Sequence, residues 1–345
     1  MTDRDTDTRL NLLRNWLAGR AHRLGLQPES LRPASDDASF RRYFRVDVSH
    51  AAGGSVIAMD APPDREDCRP FVHAARVLKA AGLSVPEVIE ADIDAGILLL
   101  EDLGNDTYLS CLTENSADQL YRDAGAALVK LQQASRPGVF PAYDRAMLER
   151  EMALYPDWYV ARHKGVALSV SQRESLAQAF ALLAEAALAQ PQVYVHRDWH
   201  SRNLMRIDAD RNPGVLDFQD AVQGPISYDL VSLLRDAYIS WPEAQQIDWA
   251  IRYWEAARKA HLPVADDFGD FYRDFEWMGL QRQLKVLGIF ARLQHRDGKS
   301  RYLADLPRVL EYALAAARRY QALSDLVRVL EEVENIAPAQ SGLTF

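Results

Sequence analysis

Three oxygen-bearing side chains share the stretch 193–220, VYVHRDWHSRNLMRIDADRNPGVLDFQD: Asp198, Asn203 five residues later, and Asp217. An apolar run, Val193-Tyr194-Val195, delivers His196-Arg197-Asp198, and a second, Gly214-Val215-Leu216, delivers Asp217-Phe218. Between them, Leu204–Ile207 and Val215–Phe218 read as the arms of a hairpin turned by the Asp-, Asn-, Pro- and Gly-rich segment 208–214. Pairing those arms brings an amide oxygen and a carboxylate oxygen together. Hard oxygen ligands at one point suit Mg²⁺, which keeps several waters and bridges nucleotide phosphates. Asp198 leaves a buried strand for a loop, where a carboxylate can orient an acceptor hydroxyl and take its proton, worth about 10²–10⁴-fold in rate. These are the parts of phosphoryl transfer, which asks a protein for positioning and charge more than for covalent chemistry.

The spacing H-R-D-x-x-x-x-N, followed by a strand and D-F, resembles the catalytic centre of the protein-kinase-like phosphotransferases. Around it, His196 reads as a buried, hydrogen-bonded imidazole beneath the loop. His200 and Arg202 either reach substrate or belong to a solvated loop. Asp220 is a candidate second acidic ligand or an acceptor for a sugar hydroxyl. Asp229, after Gly224-Pro225, reads as a brace for the catalytic loop. Two look-alikes fail. His295-Arg296-Asp297 repeats the tripeptide, but Tyr302 stands where asparagine belongs. Gly298-Lys299-Ser300 imitates a phosphate-loop ending, yet Leu293 occupies the position of its first glycine.

The elements that must position this chemistry change character along the chain. Apolar residues at three- and four-residue steps predict a helix over 8–25, and alternation then predicts strands at 43–48 and 56–59, preceded by a polar loop over 34–42. Pro62-Pro63 ends the strand, and a helix is expected over 69–81. Strands follow at 88–89 and 97–100, the second running into Glu101-Asp102-Leu103-Gly104. From 103 onward helices are expected at 117–134, 144–163, 171–190, 228–239, 243–261, 267–297 and 301–334, the last broken. Within 281–301 stand six bases and one acid, and residues 282, 285, 292, 296 and 299 share one helical face. That stripe is either solvated or turned toward an anionic substrate, with Arg292 and Arg296 as candidate contacts.

The layout is that of a kinase small lobe, in which the 34–42 loop covers nucleotide phosphates and 101–104 is the interlobe hinge. Under that reading Ser35, Ser39 and backbone N–H groups donate to phosphate oxygens, and Arg41 or Arg42 supplies charge. Glu101 and Leu103 then present backbone groups to an adenine edge. Solvated hairpin loop and simple strand-end turn are the plainer alternatives. The usual glycines are missing, and so is the third-strand lysine, since no lysine occurs between Tyr43 and Asp64 and Met59-Asp60 stands in its place.

Composition narrows the classes further. The 345 residues are 48% hydrophobic and 26% charged, with net charge −9, which argues against a nucleic-acid surface as the main role. Cys68 and Cys111 form no CxxC pair and suit a reducing compartment. The N-terminus carries acids and no apolar core of a signal peptide, and no segment is apolar enough to span a bilayer, so a cytoplasmic protein is expected.

With these residues placed, the chain resembles the aminoglycoside phosphotransferase and choline kinase superfamily. It is most similar to the bacterial anomeric kinases of cell-wall recycling, which act on N-acetylmuramate and N-acetylglucosamine. The stretches that carry the resemblance are Ser39–Arg45, Met59–Pro63, His196–Met205, Leu216–Ala221 and Gly288–Leu303. The resemblance implies a bilobal α+β fold, with a small β-rich nucleotide-covering lobe over 1–102 and a large α-helical catalytic and substrate lobe over 103–345. It implies ATP and Mg²⁺ as cofactors, Asp198 as base and Asn203 and Asp217 on metal. The partner it implies is a small amino sugar, with no nucleic acid, membrane or obligate protein partner, and the product a sugar 1-phosphate. A kinase of aminoglycosides or amino alcohols, or a non-catalytic pseudokinase, are the competing readings.

Overall fold

The computed structural model describes residues 8–35, 40–49 and 54–337. The chain divides into two compact units, Met1–Thr107 with Leu204–Asp220, and Tyr108–Asn203 with Ala221–Phe345. A single boundary after residue 102 does not describe this partition, because the hairpin that follows Asn203 packs with the first unit.

In the first unit, helices α1 (Thr8–Ala18) and α2 (Ala21–Leu24) precede strands β1 (Leu26–Ser35), β2 (Arg42–Val48) and β3 (Ser55–Asp60). Helix α3 (Arg69–Ala80) then leads to β4 (Val88–Asp92) and β5 (Ile97–Glu101). The strands form one antiparallel sheet in the order β1-β2-β3-β5-β4. The unbroken apolar run Ile97–Leu100 is explained by its position, because β5 is flanked on both edges and all four residues are buried. Leu13 and Leu17, one helical turn apart, lay α1 on Leu26, Val46, Ala58, Ile97 and Leu99. The helix expected over 8–25 is two pieces, closed by Gly25 in the left-handed region.

The hairpin is shorter than its sequence suggests. Only Leu204–Met205 and Gly214–Val215 pair. Its first unit neighbours hold it at both arms, through Val215 N–H to the Ser84 carbonyl (2.8 Å) and Arg206 N–H to the Asp106 carbonyl (2.7 Å). Phe218, just past Asp217, stacks at a tilt on Phe71 of α3, with centroids 4.8 Å apart.

The second unit is mainly helical: α4 (Tyr108–Cys111), α5 (Ala117–Gln133), α6 (Arg145–Met152), a π-helical segment Tyr155–Lys164, and α7 (Val170–Ala189). Strand Gln192–Val195 pairs antiparallel with Val222–Pro225. Helices α8 (Tyr228–Leu234), α9 (Glu243–Lys259), α10 (Phe268–Asp297), α11 (Leu306–Ala317) and α12 (Ser324–Glu334) complete it. The helix expected over 144–163 is interrupted because Pro156 has no N–H for the Met152 carbonyl, and the chain re-forms with a wider π-turn. The helix expected over 228–239 stops at Leu234.

Helix α10 is the axis of this unit and packs against the π-helical segment, α7, α8 and α11. Asp267 caps its start through the Asp270 N–H, and Gly298, at φ +68°, closes its end. The phosphate-loop look-alike is therefore a helix C-cap. A β-carbon on Gly288 would stand 2.3 Å from the Leu154 carbonyl carbon. Only a glycine lets α10 approach that backbone so closely. No helix among the described residues is long and apolar enough to cross a membrane.

Candidate active site

The loop from His196 to Asn203 in the second unit is held by hydrogen bonds to its backbone from several elements. Asp229, in the first turn of α8, accepts the N–H groups of His196 (2.6 Å) and Arg197 (3.0 Å). His196 is buried, as its reading required, and its Nδ1 accepts the Asp198 N–H at 3.2 Å. Asp236 accepts the Ser201 N–H at 2.9 Å, and the Asn203 amide nitrogen donates to the Asp198 carbonyl at 3.1 Å. Between these anchors Arg197 sits at φ +77°, a conformation that costs a non-glycine residue about 1–3 kcal/mol. Its carbonyl accepts from Arg282 Nη1 at 2.8 Å and its guanidinium pairs with Glu151.

That Arg282 contact corrects the reading of the basic stripe. Arg282 and Lys285 are buried, turned into the unit rather than toward solvent or an anionic substrate. Lys285 Nζ lies 3.1 Å from Glu151 Oε1 and 3.0 Å from the Tyr228 hydroxyl, and Tyr143 donates to the same Glu151. Their burial is tolerable because each charge is matched by a partner from another element. Of the remaining candidates, Arg296 is exposed and bound to Asp297 at 2.7 Å. Arg292 is half-buried, and burial, then Arg296, lowers its pKa.

The Asp198 carboxylate is 38% exposed, and Arg282 Nη2 stands 3.9 Å from its Oδ1. Burial pushes this carboxyl up, but Lys285, Arg282, His200 and Arg197 outweigh it and hold it well below the ordinary carboxylate range. Asp198 is thus an ionised group with an open face, equipped to orient a hydroxyl. Burial pushes its brace Asp229 up to about 7, against the pull of the two backbone N–H groups and Arg282. His200 lies edge-on to Tyr238 at 5.3 Å, and burial lowers its pKa. Arg202 covers the Tyr238 face, its guanidinium carbon 3.9 Å from the ring centroid.

Asp217 belongs to the first unit. Asp217 stands at φ +62°, with its Oδ1 accepting from Gln219 at 2.8 Å. Arg41 lies beside it: Nη1 is 4.0 Å from Asp217 Oδ1, and Nη2 donates to Glu66 Oε2 at 3.0 Å. Burial works against this charge, but Tyr43, Glu66 and Asp217 outweigh it and raise the Arg41 pKa.

Arg42 has a different occupation. It faces Asp60 across the β2–β3 register and donates to Asp60 Oδ2 at 3.0 and 2.6 Å, while Arg9 takes Oδ1. Asp60 is 0% exposed, so the residue in the lysine's place is a buried carboxylate neutralised by two arginines. Arg42 is thus a partner of Asp60.

Of Ser35 only the backbone is described, at the end of β1, and Ser39 lies outside the described residues. Glu101 closes β5 with its side chain on Arg211 (2.8 Å) and its N–H on the Glu87 carbonyl (2.9 Å). Leu103 packs so closely on the hairpin that a β-carbon on Gly214 would lie 2.8 Å from its Cδ1. Asp220 is exposed at the end of the unit.

Glu66, Glu151, Tyr228 and Asp236 were not singled out by the sequence. Glu66 carried one signal, an acid just before the helix that follows the third strand. The others are recognisable only once distant segments are folded together.

Among the described residues no three His, Cys, Asp or Glu side chains cluster into a self-contained metal cage. Taken singly, the Asp217 carboxylate and the Asn203 amide each offer a hard oxygen of the kind a cation that keeps its waters accepts.

Comparison with known proteins shows the family. The profile of the phosphotransferase enzyme family matches residues 30–271. A Neisseria meningitidis protein named N-acetylmuramate/N-acetylglucosamine kinase is 47% identical over 340 residues, 96% of this chain and 98% of its own length. A Pseudomonas aeruginosa protein of the same name is 48% identical over 312 residues, covering 90% and 91%. Among solved structures, choline kinase LicA from Streptococcus pneumoniae superposes with a TM-score of 0.63 at 11% identity, over 88% of this chain and 99% of its own. That likeness speaks for the fold alone. A family profile over most of the chain and relatives matched over nearly their full length agree: the chain belongs to the phosphotransferase enzyme family.

Proposed function

We propose that this kinase transfers the γ-phosphoryl group of ATP to the anomeric hydroxyl of N-acetylmuramate, N-acetylglucosamine or both, giving the sugar 1-phosphate for peptidoglycan recycling. The observation that carries the reading is the similarity of nearly the whole chain to relatives named for those two sugars. In the proposed reaction Asp198 receives the proton of the acceptor hydroxyl while its oxygen attacks the γ-phosphorus and ADP departs. A carboxylate held so far below its usual range is a weak base. The anomeric hydroxyl, being a hemiacetal O–H, is the most acidic hydroxyl of an amino sugar and asks least of it.

Asp217 and Asn203 would hold Mg²⁺, which when bound neutralises the nucleotide phosphates. Arg41 supplies the phosphate-facing charge that the third-strand lysine gives other kinases, and Glu66 orients it. Glu101 and Leu103 lend backbone groups to the adenine edge, with Ser35 and Ser39 in the covering loop. Turnover of a panel of amino sugars, aminoglycosides and amino alcohols with Mg-ATP, with ³¹P and ¹H NMR of the product, tests this. Phosphate on the anomeric oxygen of either sugar is expected. Phosphate on another hydroxyl, or turnover of the cationic compounds alone, refutes it.

A further inference from the structure

Arg202 lies four residues past Asp198 in the same loop. Among the described residues its guanidinium makes no hydrogen bond and no ion pair. Its contacts are with aromatic faces, 3.9 Å from the Tyr238 centroid and 5.7 Å from that of Tyr302. This shelf is fixed from behind. Phe290 of α10 packs against both rings, at 6.1 Å from Tyr238 and 5.2 Å from Tyr302, and Tyr302 is buried. Asp236 is committed elsewhere, with Oδ2 on the Ser201 N–H and Oδ1 on the Tyr238 N–H. It steadies the two segments that carry Arg202 and Tyr238.

A guanidinium lying on an aromatic face keeps its N–H donors in its own plane, pointing past the ring edge. An arginine held that way is prepared for a planar anion that accepts two parallel hydrogen bonds, which is the geometry of a carboxylate. A cationic substrate would meet repulsion at the same place. Of the two amino sugars proposed above, N-acetylmuramate carries a carboxylate, on its lactyl ether, and N-acetylglucosamine carries none.

We propose that Arg202 is a specificity-determining residue whose stacked guanidinium takes the lactyl carboxylate of N-acetylmuramate. The inference rests on the amino-sugar reading of the site. It is tested by steady-state kinetics of the wild type, Arg202→Ala and Arg202→Lys with both sugars and with ATP as the varied substrate. A charge-assisted contact of this kind sets the expectation: the ratio of kcat/KM for N-acetylmuramate over N-acetylglucosamine falls about 10- to 150-fold in Arg202→Ala, chiefly through KM, and partly recovers in Arg202→Lys. The methyl ester of N-acetylmuramate supplies a second measurement that needs no variant. The wild type should lose the same factor on esterification, and the two losses should not add.

Equal loss on both sugars, or a rise in the ATP KM as large as that for N-acetylmuramate, overturns the proposal and places the guanidinium on a phosphate or in loop support. An ester that serves the wild type as well as the free acid overturns it too. If the wild type phosphorylates neither sugar, the functional reading fails and takes this one with it. Turnover of both with an unchanged ratio refutes the role of Arg202 alone.

Discussion

Arg41 and Arg42 are adjacent in sequence but face different partners, Glu66 and Asp217 for one and Asp60 for the other, so under the proposed function exchanging them for alanine separates nucleotide handling from stability. The Arg41 guanidinium is 12% exposed, bonded to Glu66 at 3.0 Å and 4.0 Å from Asp217. Two unit charges at 4 Å interact by about 4 kcal/mol at an effective dielectric near 20, and hydrogen bonds to charged groups are worth about 1.5–3 kcal/mol net. Loss of that contact to a phosphate corresponds to about 10- to 150-fold weaker nucleotide binding.

Arg41→Ala should therefore raise the ATP KM and the Kd of a fluorescent ATP analogue by that factor, with little change in the unfolding midpoint. Glu66→Gln should do the same more weakly. Arg42→Ala should do the reverse. It leaves the fully buried Asp60 with Arg9 alone and should cost about 1.5–3 kcal/mol of stability, with nucleotide affinity nearly intact. Urea unfolding and analogue titration on the same preparations decide the matter. The reasoning is refuted if Arg41→Ala binds nucleotide like the wild type, or if Arg42→Ala is the variant that loses affinity while keeping its stability.

Three further perturbations follow from the same geometry. Asp217→Ala should abolish metal-dependent turnover while leaving the circular dichroism spectrum and unfolding midpoint close to wild type; retained turnover would remove Asp217 from the metal. Lys285→Met should cost about 3–5 kcal/mol in urea unfolding, because it leaves Glu151 buried with less compensation; a loss under about 1 kcal/mol would show the network to be replaceable. The Asp229 carboxyl, raised to about 7 from an ordinary value near 3.9, makes the folded chain hold a proton that the unfolded chain releases. Its contribution to stability is then fully present below about pH 4 and is lost as the pH rises through about 7. In Asp229→Asn the pH dependence of unfolding free energy between pH 5 and 7 should be less negative by up to about 1.4 kcal/mol per pH unit, and an unchanged slope would mean an ionised Asp229 throughout.

What could be read in the sequence was set by short-range spacing. The run from His196 to Asn203 is one loop, so its order in the chain is nearly its order in space, and the buried His196 and the bracing Asp229 are found as expected. The small sheet was legible for a similar reason, since alternation and turn residues mark its strands. Pairs made by long-range register were not. Arg42 meets Asp60 only because β2 and β3 pair in one particular register, and nothing within either segment states it. The stripe on α10 misled for a related reason. A helical wheel reports which side chains share a face, whereas the partner of that face, Glu151 and Tyr228, lies many residues away. The break in the helix expected over 144–163 comes from a single residue, Pro156, which has no N–H to continue the ladder.

Gly288 gives the charge network a ruler. One turn before it on α10 is Lys285, and one turn before the Leu154 backbone it touches is Glu151, so the spacing of two backbones sets the length of an ion pair. Through Glu151 and Arg197 that length is passed to the loop bearing Asp198. A methyl group at position 288 carries no charge and touches no reactant. It would nonetheless act as a wedge, and the first quantity to change would be the aim of a carboxylate several contacts away. Positions of this kind let steric bulk govern reactivity at a distance, and they make the interior of the helical unit part of the enzyme's sensitivity to mutation.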